Sequence, residues 1–407
     1  MALWMGNHPS FPAIMYGTWR LGAVVVPMHA MLTPPEARHI LGDSGAKVVV
    51  CGEEQHGKLT DDDRRVTHHT LREAGGEDVE PIADVEAADL ALLGYTSGTS
   101  GLPKGAMLSH GNLRANLDQM RGTSIATHAG DVSLCVLPLF HIYGLNVVLN
   151  LSVDVGAKLV VLERFDPGAS IEAIRREGVT QVAAPPPAYV AWLRLPDVAS
   201  DAFASVRVCV SGAAPLAKEV LEGFERRFGV TIWEGYGLTE TAPALTSTAV
   251  GGIAKAGSIG RPLPGVELRL VDVDGDDVED GDPGEICVRG PNVFGGYWNQ
   301  PEATERAFTG GWFRTGDVAV ADEDGDLYIV DRRNDLILVS GFNVYPREVE
   351  DVLRRHPNVG DVAVVGAPDP QSGESVRAIV VPDPPGETVS PEVLIEFCRS
   401  NLAPYKV

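Results

Sequence analysis

Short runs of apolar, often β-branched residues alternate with segments of helical spacing over the first two hundred or so residues. This pattern constrains the fold more than any other. Ala23–Val26, Lys47–Cys51, Ser133–Leu137, Lys158–Leu162 and Val206–Val210 read as strands, and Ser10–Leu21, Pro34–Leu41 and Ala169–Glu177 as helices. Apolar runs divided by helices mean parallel sheets covered on both faces. From Gly260 to Tyr328 the strands shorten and turns crowd in, at Pro264-Gly265, Asp274-Gly275, Asp282-Pro283-Gly284 and Asp324-Gly325. That reads as antiparallel, barrel-like or distorted sheet. After Asp331 come helices at Pro346–His356 and from Ser390 to near Leu402, with strands at Asp361–Val365 and Val376–Val381, a small α+β unit. At 407 residues the chain is too long for one ordinary core. The expected class is α/β. A large N-terminal domain, residues 1–333, holds two βαβ-type layered subdomains and a distorted antiparallel barrel. A small, incomplete α+β domain, residues 334–407, follows a linker near Asp331–Asp335.

The richest segment is Tyr95-Thr-Ser-Gly-Thr-Ser-Gly-Leu-Pro-Lys-Gly105, set between two expected strands, Leu90–Tyr95 and Ala106–Ser109. Its glycines, Gly98 and Gly101 among them, let the backbone approach a ligand closely. Successive N–H groups in such a loop make an anion-binding concavity. Thr96, Ser97, Thr99 and Ser100 add hydroxyl donors and Lys104 a compact positive charge. The pattern departs from the common nucleotide-triphosphatase loop, which needs Gly-x-x-x-x-Gly-Lys-Ser/Thr opening a helix. Here the helix is expected only near Asn112, taken as its cap. An ordinary Gly/Ser hairpin turn is the alternative.

Net charge −23 excludes a nucleic-acid surface as the main business and disfavours anionic lipid. The five cysteines are far apart and form no Cys-x-x-Cys pair, which fits a reducing cytoplasm better than a disulfide or zinc framework. The apolar stretch Leu21–Leu32 is broken by Pro27 and His29 and is too short to span a bilayer. A calcium loop starting at Asp272 fails, with Asp277 and Pro283 where Gly and Glu are required, so the acidic stretches read as solvated turns.

Four further segments accompany the loop. They are Leu137-Pro-Leu-Phe-His-Ile-Tyr-Gly144, a buried-looking strand end carrying His141; Ser211-Gly-Ala-Ala-Pro215; Glu234-Gly-Tyr-Gly-Leu-Thr-Glu240; and Phe313-Arg-Thr-Gly-Asp317, followed by Asp331-Arg332 and Ser340-Gly-Phe-Asn-Val344. Taken singly each has a plain reading. Tyr236 is a core aromatic, Asp317 a turn residue, Glu240 an exposed acid and His141 a satisfied core histidine. Their joint order is what carries information.

In that order the chain resembles the acyl-adenylate-forming superfamily over essentially its whole length. Leu338-Val-Ser-Gly-Phe-Asn-Val-Tyr-Pro-Arg-Glu-Val-Glu350 is most similar to bacterial long- or medium-chain fatty-acyl-CoA synthetases. The resemblance implies two half-reactions: a carboxylic acid and ATP give an acyl-AMP and pyrophosphate, then coenzyme A takes the acyl group after the small domain rotates. It implies that Thr96 to Lys104 cradle the β- and γ-phosphates and that Thr239 bonds the α-phosphate. It implies Glu240 as the Mg²⁺ ligand, Tyr236 with Gly212, Ala213 and Ala214 around adenine, and Glu234, Gly235 and Gly237 shaping that pocket. It further implies Asp317 on the ribose, Arg332 on phosphate or ribose, and His141 as a wall of the acyl site. The expected partners are therefore a small carboxylic acid and CoA, with homo-oligomerisation open. Two departures stand out. The family's lysine in a Gly-Lys segment lies beyond Val407, with Lys406 belonging to an earlier segment, and leading strands before Ala2 are missing, so both ends read as truncated. Asn334 stands at the pivot where many relatives have Asp or Lys. An aryl-acid CoA ligase, a ligase loading a carrier protein, and a weakly catalytic ATP- or acyl-AMP-binding fragment remain as alternatives.

Overall fold

The computed structural model describes residues 1–59, 67–70, 81–96, 103–332, 337–339, 342–369, 373–384, 389–402 and 406–407. The expected loop residues Ser97, Gly98, Thr99, Ser100 and Gly101, and Asn334, lie outside the described residues. The chain divides into two compact units, Met1–Leu268 with Val288–Phe313, and Arg269–Cys287 with Arg314–Val407.

The first unit holds one parallel sheet and one larger, mostly parallel sheet. Ala2–Trp4 lies between Val26–Met28 and Val48–Cys51, and Thr67–Thr70 extends the row, all parallel. The larger sheet runs from Arg261–Pro262 through Ala244–Ser247, Ile232–Gly237, Val208–Ser211, Gln181–Ala184 and Val132–Cys135 to Lys158–Val161. Its last five strands are parallel. They are short and β-branched, and helices Pro167–Glu177, Pro186–Arg194 and Lys218–Phe228 supply the intervening crossovers. Tyr189, Trp192, Phe203, Phe224 and Phe228 form an edge-to-face and tilted aromatic cluster beneath it.

Several expected boundaries move, two of them next to the glycine-rich segment or its supporting strands. The strand placed at Ala23–Val26 begins at Val26. Ala23 N–H bonds back to the Thr18 carbonyl, and Val25 exchanges bonds with Ala91 and Leu93 instead. The helix expected near Asn112 spans His110–Arg121 and is capped by Ser109. Ser109 Oγ accepts from Asn112 N–H at 3.0 Å while Asn112 Oδ1 accepts from Ser109 N–H at 2.9 Å. Asn112 is thus the third helical residue of a reciprocal capping box, not the cap.

The second unit carries a four-stranded antiparallel sheet in the order Phe342–Val344, Ile337–Val339, Gly373–Pro382, Val359–Asp369. Val349, Val352 and Leu353 of helix Pro346–Leu353, with Leu394 and Cys398 of helix Pro391–Arg399, complete its core. The acidic stretches form Asx turns, but they are not solvated throughout as expected: Asp326 and Glu285 are buried. Asp272 Oδ1 accepts from the amides of Asp274, Gly275 and Asp276, and Asp322 Oδ1 from those of Asp324 and Asp326. The expected distorted, barrel-like antiparallel sheet is present and is open at its edges. Glu267–Val271, Gly284–Arg289, Trp312–Ala321 and Phe308–Thr309 are neighbours in that order, with Leu327–Arg332 on Trp312–Ala321. No described helix is long and apolar enough to cross a membrane. All five cysteines are buried and none is in a disulfide.

Candidate active site

The glycine-rich loop leaves a hairpin whose two strands, Leu90–Thr96 and Lys104–Ser109, pair so that Thr96 stands opposite Lys104. A third extended segment braces this neck. Met107 N–H bonds Gly296 O at 2.9 Å, Gly295 N–H bonds Met107 O at 3.1 Å and Trp298 N–H bonds Gly105 O at 2.8 Å. Helix Pro34–Ser44 braces it again: His39 Nε2 lies 3.2 Å from Pro103 O, and Tyr95 Oη donates to Asp43 Oδ2 at 2.5 Å. The Asp43 carbonyl accepts from Trp298 Nε1 at 3.0 Å. Two polar ties and a backbone ladder thus fix where the loop starts and ends.

Strand Ile232–Gly237 leads into the single helical turn Thr239–Thr241 at this neck. Glu240 is only 7% exposed there. Its Oε1 accepts from Tyr297 Oη at 2.9 Å, and the Thr96 hydroxyl donates to the same carboxylate. Lys104 Nζ sits 5.3 Å from the Tyr297 ring centroid and adds a favourable field. Burial dominates nonetheless and pushes the Glu240 carboxyl above its usual range; a backbone amide, Tyr297, Thr96 and Lys104 each pull it down. Gly94 packs under Thr239, where a Cβ would lie 2.5 Å from Thr239 Cγ2. A buried carboxylate beside hydroxyl oxygens is a hard-oxygen donor set that suits Mg²⁺ on a phosphate chain.

The third predicted element adjoins the second. Ser211 stands opposite Glu234 in the parallel pairing of Val208–Ser211 with Ile232–Gly237. The turn that follows contains Ala213 at φ 69°, a left-handed residue with a side chain, and Ala213 and Ala214 are exposed. Strain at an exposed turn is typical of ligand-contacting backbone. Glu234 is buried beneath it and accepts from Leu216 N–H at 3.2 Å. Gly212 fits tightly: a Cβ would meet Gly235 O at 3.2 Å and the Tyr143 ring at 3.4 Å. Tyr236 is half-buried, paired with Thr246 across an antiparallel step, and Gly237 leaves room for the Pro243 carbonyl. These residues line the carboxyl ends of parallel strands, where ligands bind in open α/β sheets.

His141 is not at a buried strand end. The strand stops at Cys135, and Asn7 draws the chain away from the sheet, donating to Leu137 O and Leu162 O and accepting from Leu139 N–H. His141 therefore lies in the turn that enters the π-helix Tyr143–Asn150. Nδ1 accepts from Tyr143 N–H at 3.2 Å. The surrounding protein lowers its pKa and His29 lowers it further, which favours a neutral ring with Nε2–H as donor.

Asp317 and Arg332 belong to the second unit and stand opposite each other across its strands. Asp317 is buried within strand Trp312–Ala321, and Glu285 holds the residues just before it: Glu285 Oε2 accepts from Arg314 Nε at 3.0 Å and Oε1 accepts from Gly316 N–H at 3.2 Å. Thr315 Oγ1 donates to Ile286 O at 2.9 Å and accepts from Asp317 N–H at 3.1 Å. The residues that sequence reasoning missed are Tyr297, Glu285 and Asp43. Each acts on a motif from a distant segment, and nothing in its own neighbourhood marks it.

The profile of AMP-binding enzymes matches residues 1–298, and that of the AMP-binding enzyme C-terminal domain matches residues 348–407. The long-chain-fatty-acid–CoA ligase of Escherichia coli O157:H7 is 36% identical over 453 aligned positions, covering 100% of this chain and 80% of the relative. The feruloyl-CoA synthase of an Amycolatopsis species is 38% identical over 408 positions, covering 98% and 82%. ATP-bound MatB from Rhodopseudomonas palustris superposes with a TM-score of 0.92 at 33% identity, covering 100% of this chain and 82% of that one. The o-succinylbenzoate coenzyme A synthetase (MenE) of Bacillus subtilis, in complex with ATP and magnesium ion, gives a TM-score of 0.86 at 32% identity, covering 100% and 83%. With matching profiles over both parts of the sequence, the chain belongs to the AMP-binding enzyme family.

Proposed function

We propose that this protein is an ATP- and Mg²⁺-dependent acid–CoA ligase whose acid is a fatty acid, acting in the cytoplasm. The observation that carries the reading is Glu240, buried at the neck of the glycine-rich loop with Thr96, Tyr297 and Lys104 around its carboxylate. The fatty-acid assignment is supported by several relatives named long-chain-fatty-acid–CoA ligase.

In the first step a carboxylate oxygen of the acid attacks the α-phosphorus of ATP. The bond from that phosphorus to the bridging oxygen breaks, and pyrophosphate leaves with the electron pair. Mg²⁺ held by Glu240 supplies neutralisation of phosphate charge. Lys104, Thr96 and the loop residues Ser97 to Gly101 hold the β- and γ-phosphates, and Thr239 the α-phosphate. Tyr236 and the Gly212–Ala214 shelf take adenine, with Glu234, Gly235 and Gly237 shaping the wall. Asp317 accepts the ribose hydroxyls and Arg332 reaches phosphate or ribose. His141, neutral and donating through Nε2–H, orients the carboxylate. These are positioning and charge-stabilising roles, which dominate phosphoryl-type transfer. In the second step the CoA thiolate attacks the acyl carbon, the carbon–oxygen bond to AMP breaks, and the thiol proton passes to solvent. Residues 334–407 form the part that we propose rearranges between the steps.

A second reading, an aryl-acid CoA ligase, is favoured by the feruloyl-CoA synthase relative. Acyl-hydroxamate formation with ATP, Mg²⁺ and hydroxylamine, across acids from acetate to palmitate and with coumarate, decides between them. A signal rising with alkyl chain length supports the fatty-acid reading, and one confined to coumarate supports the aryl reading. No signal from a folded protein whose melting temperature ATP raises would refute both.

A further inference from the structure

Behind the Thr239–Glu240 turn lies a cage of five carboxamides. Asn116, Asn146 and Asn292 are fully buried, Asn150 is 4% and Gln119 5% exposed. They come from helix His110–Arg121, helix Tyr143–Asn150 and the segment around Asn292, yet their donors converge on one short stretch. Asn292 Nδ2 donates to Thr241 O at 2.8 Å, Asn146 Nδ2 to Ala242 O at 2.6 Å and Asn116 Nδ2 to Ala244 O at 2.8 Å. Asn116 Oδ1 accepts from Ala244 N–H at 3.2 Å. The cage is joined within itself: Gln119 bridges Asn116 and Asn292, and Asn150 Nδ2 donates to Asn146 Oδ1 at 2.8 Å. Tyr16 Oη donates to Asn150 Oδ1 at 2.8 Å.

Such an arrangement is costly unless complete, because each buried amide needs its partners. The stretch it grips is itself strained. Ala242 has φ 67° with a side chain and is fully buried, two residues after Glu240. Left alone, a non-glycine residue would leave that conformation, and the turn holding Thr239 and Glu240 would swing with it. Asn146 has a second connection. It lies within the π-helix that His141 enters, where Leu145 N–H bonds His141 O at 2.9 Å. Short π-helical stretches occur often at functional sites.

We propose that Asn146 is a positioning residue. Its hydrogen bond to the Ala242 carbonyl fixes the Thr239–Glu240 turn for phosphate and Mg²⁺, and ties that turn to the helix that follows His141. The inference rests on the ligase reading for its catalytic consequence, though not for its effect on metal-dependent nucleotide binding.

The test uses Asn146→Asp, which keeps the shape and the acceptor to Asn150 but loses the donor, and Asn146→Leu, which loses both. Three quantities are measured on the full chain: acid-dependent ATP–pyrophosphate exchange, CoA acylation from added acyl-AMP, and ATP affinity with and without Mg²⁺. The expected result is a roughly 10–100-fold loss of exchange, the usual effect of removing an outer partner of a metal ligand. Half-saturating Mg²⁺ rises, and the Mg²⁺-dependent gain in ATP affinity shrinks. Acylation from acyl-AMP, normalised to folded protein, stays within about twofold of the parent. A proportional loss in both half-reactions, or an unchanged Mg²⁺-dependent gain in ATP affinity, overturns the proposal. Should Asn146→Leu fail to fold, Asn146→Asp and Asn150→Leu carry the same three readouts. If the parent itself shows no exchange, the ligase reading fails, and the binding measurement still decides the role of Asn146.

Discussion

Replacing Tyr297 by Phe is the sharpest test of how the site sets the charge on Glu240. The substitution keeps the ring under Lys104 Nζ, 5.3 Å from its centroid, and removes only the hydroxyl that donates to Glu240 Oε1 at 2.9 Å. Burial raises the Glu240 pKa, and the Tyr297 hydrogen bond opposes that rise. A hydrogen bond to a charged acceptor is worth about 1.5–3 kcal/mol, and 1.36 kcal/mol corresponds to one pH unit, so the carboxyl should titrate roughly one to two pH units higher without it. Metal binding needs the ionised form. The acid limb of ATP–pyrophosphate exchange should therefore move up in pH by that amount in Tyr297→Phe, with activity recovering toward the parent's on the alkaline side. Profiles of kcat/KM at a fixed, subsaturating Mg²⁺ concentration measure it. An acid limb that stays in place, or a loss equal at every pH, would refute the assignment of Tyr297 to the Glu240 charge.

The pKa of Glu240 also bears on stability. Because the folded-state value is raised, its contribution is most favourable below the unfolded carboxyl pKa and is lost as pH rises through the folded pKa. Glu240→Gln should remove this slope, giving a melting temperature at about pH 8 that equals or exceeds the parent's while exchange is abolished; a lower melting temperature would contradict it. Gly94→Ala drives a methyl to 2.5 Å from Thr239 Cγ2 and should destabilise by about 1–3 kcal/mol, as overpacking does, and Thr239→Ser in the same chain should relieve part of it in denaturant titrations. Breaking the Arg314–Glu285 pair, whose side chains are 19% and 6% exposed, by Glu285→Ala leaves a nearly buried guanidinium and frees the Gly316 amide. A loss of about 3–5 kcal/mol is expected, with less for the double replacement by Met and Leu, read by thermal and urea unfolding.

Much of the architecture was legible because it rests on local pattern. Short β-branched runs, proline-led helices such as Pro167–Glu177 and Pro346–Leu353, and Asx turns at Asp272 and Asp322 are each decided by neighbours in sequence. The errors came where tertiary bonds override local preference. Val25 bonds to Ala91 and Leu93 before the strand begins, and Asn7, more than a hundred residues away, pulls Leu137 and Leu139 out of the sheet and leaves His141 in a turn. The site divides in the same way. The motifs name the groups that face a ligand, since hydroxyls, glycines and a lysine in one loop have few other uses. They are silent about what holds those groups.

Glu240 illustrates why. Its sequence neighbours predict an exposed acid, yet Tyr297, fifty-seven residues away, donates to its carboxylate, and Asn146 and Asn292 fix the carbonyls just beyond it. Tyrosine and asparagine are common residue types with many structural uses, so no single-sequence signal separates these from the rest. The physical requirement is nevertheless definite. A carboxylate at 7% exposure stays ionised only if donors reach it, and a backbone at φ 67° stays put only if its carbonyls are held. Each motif residue that is both buried and charged, or both strained and non-glycine, therefore demands partners elsewhere in the chain. Ala213 meets the second condition at an exposed turn, and the carboxylate of Glu234 bonding Leu216 N–H from beneath is the support that this argument requires.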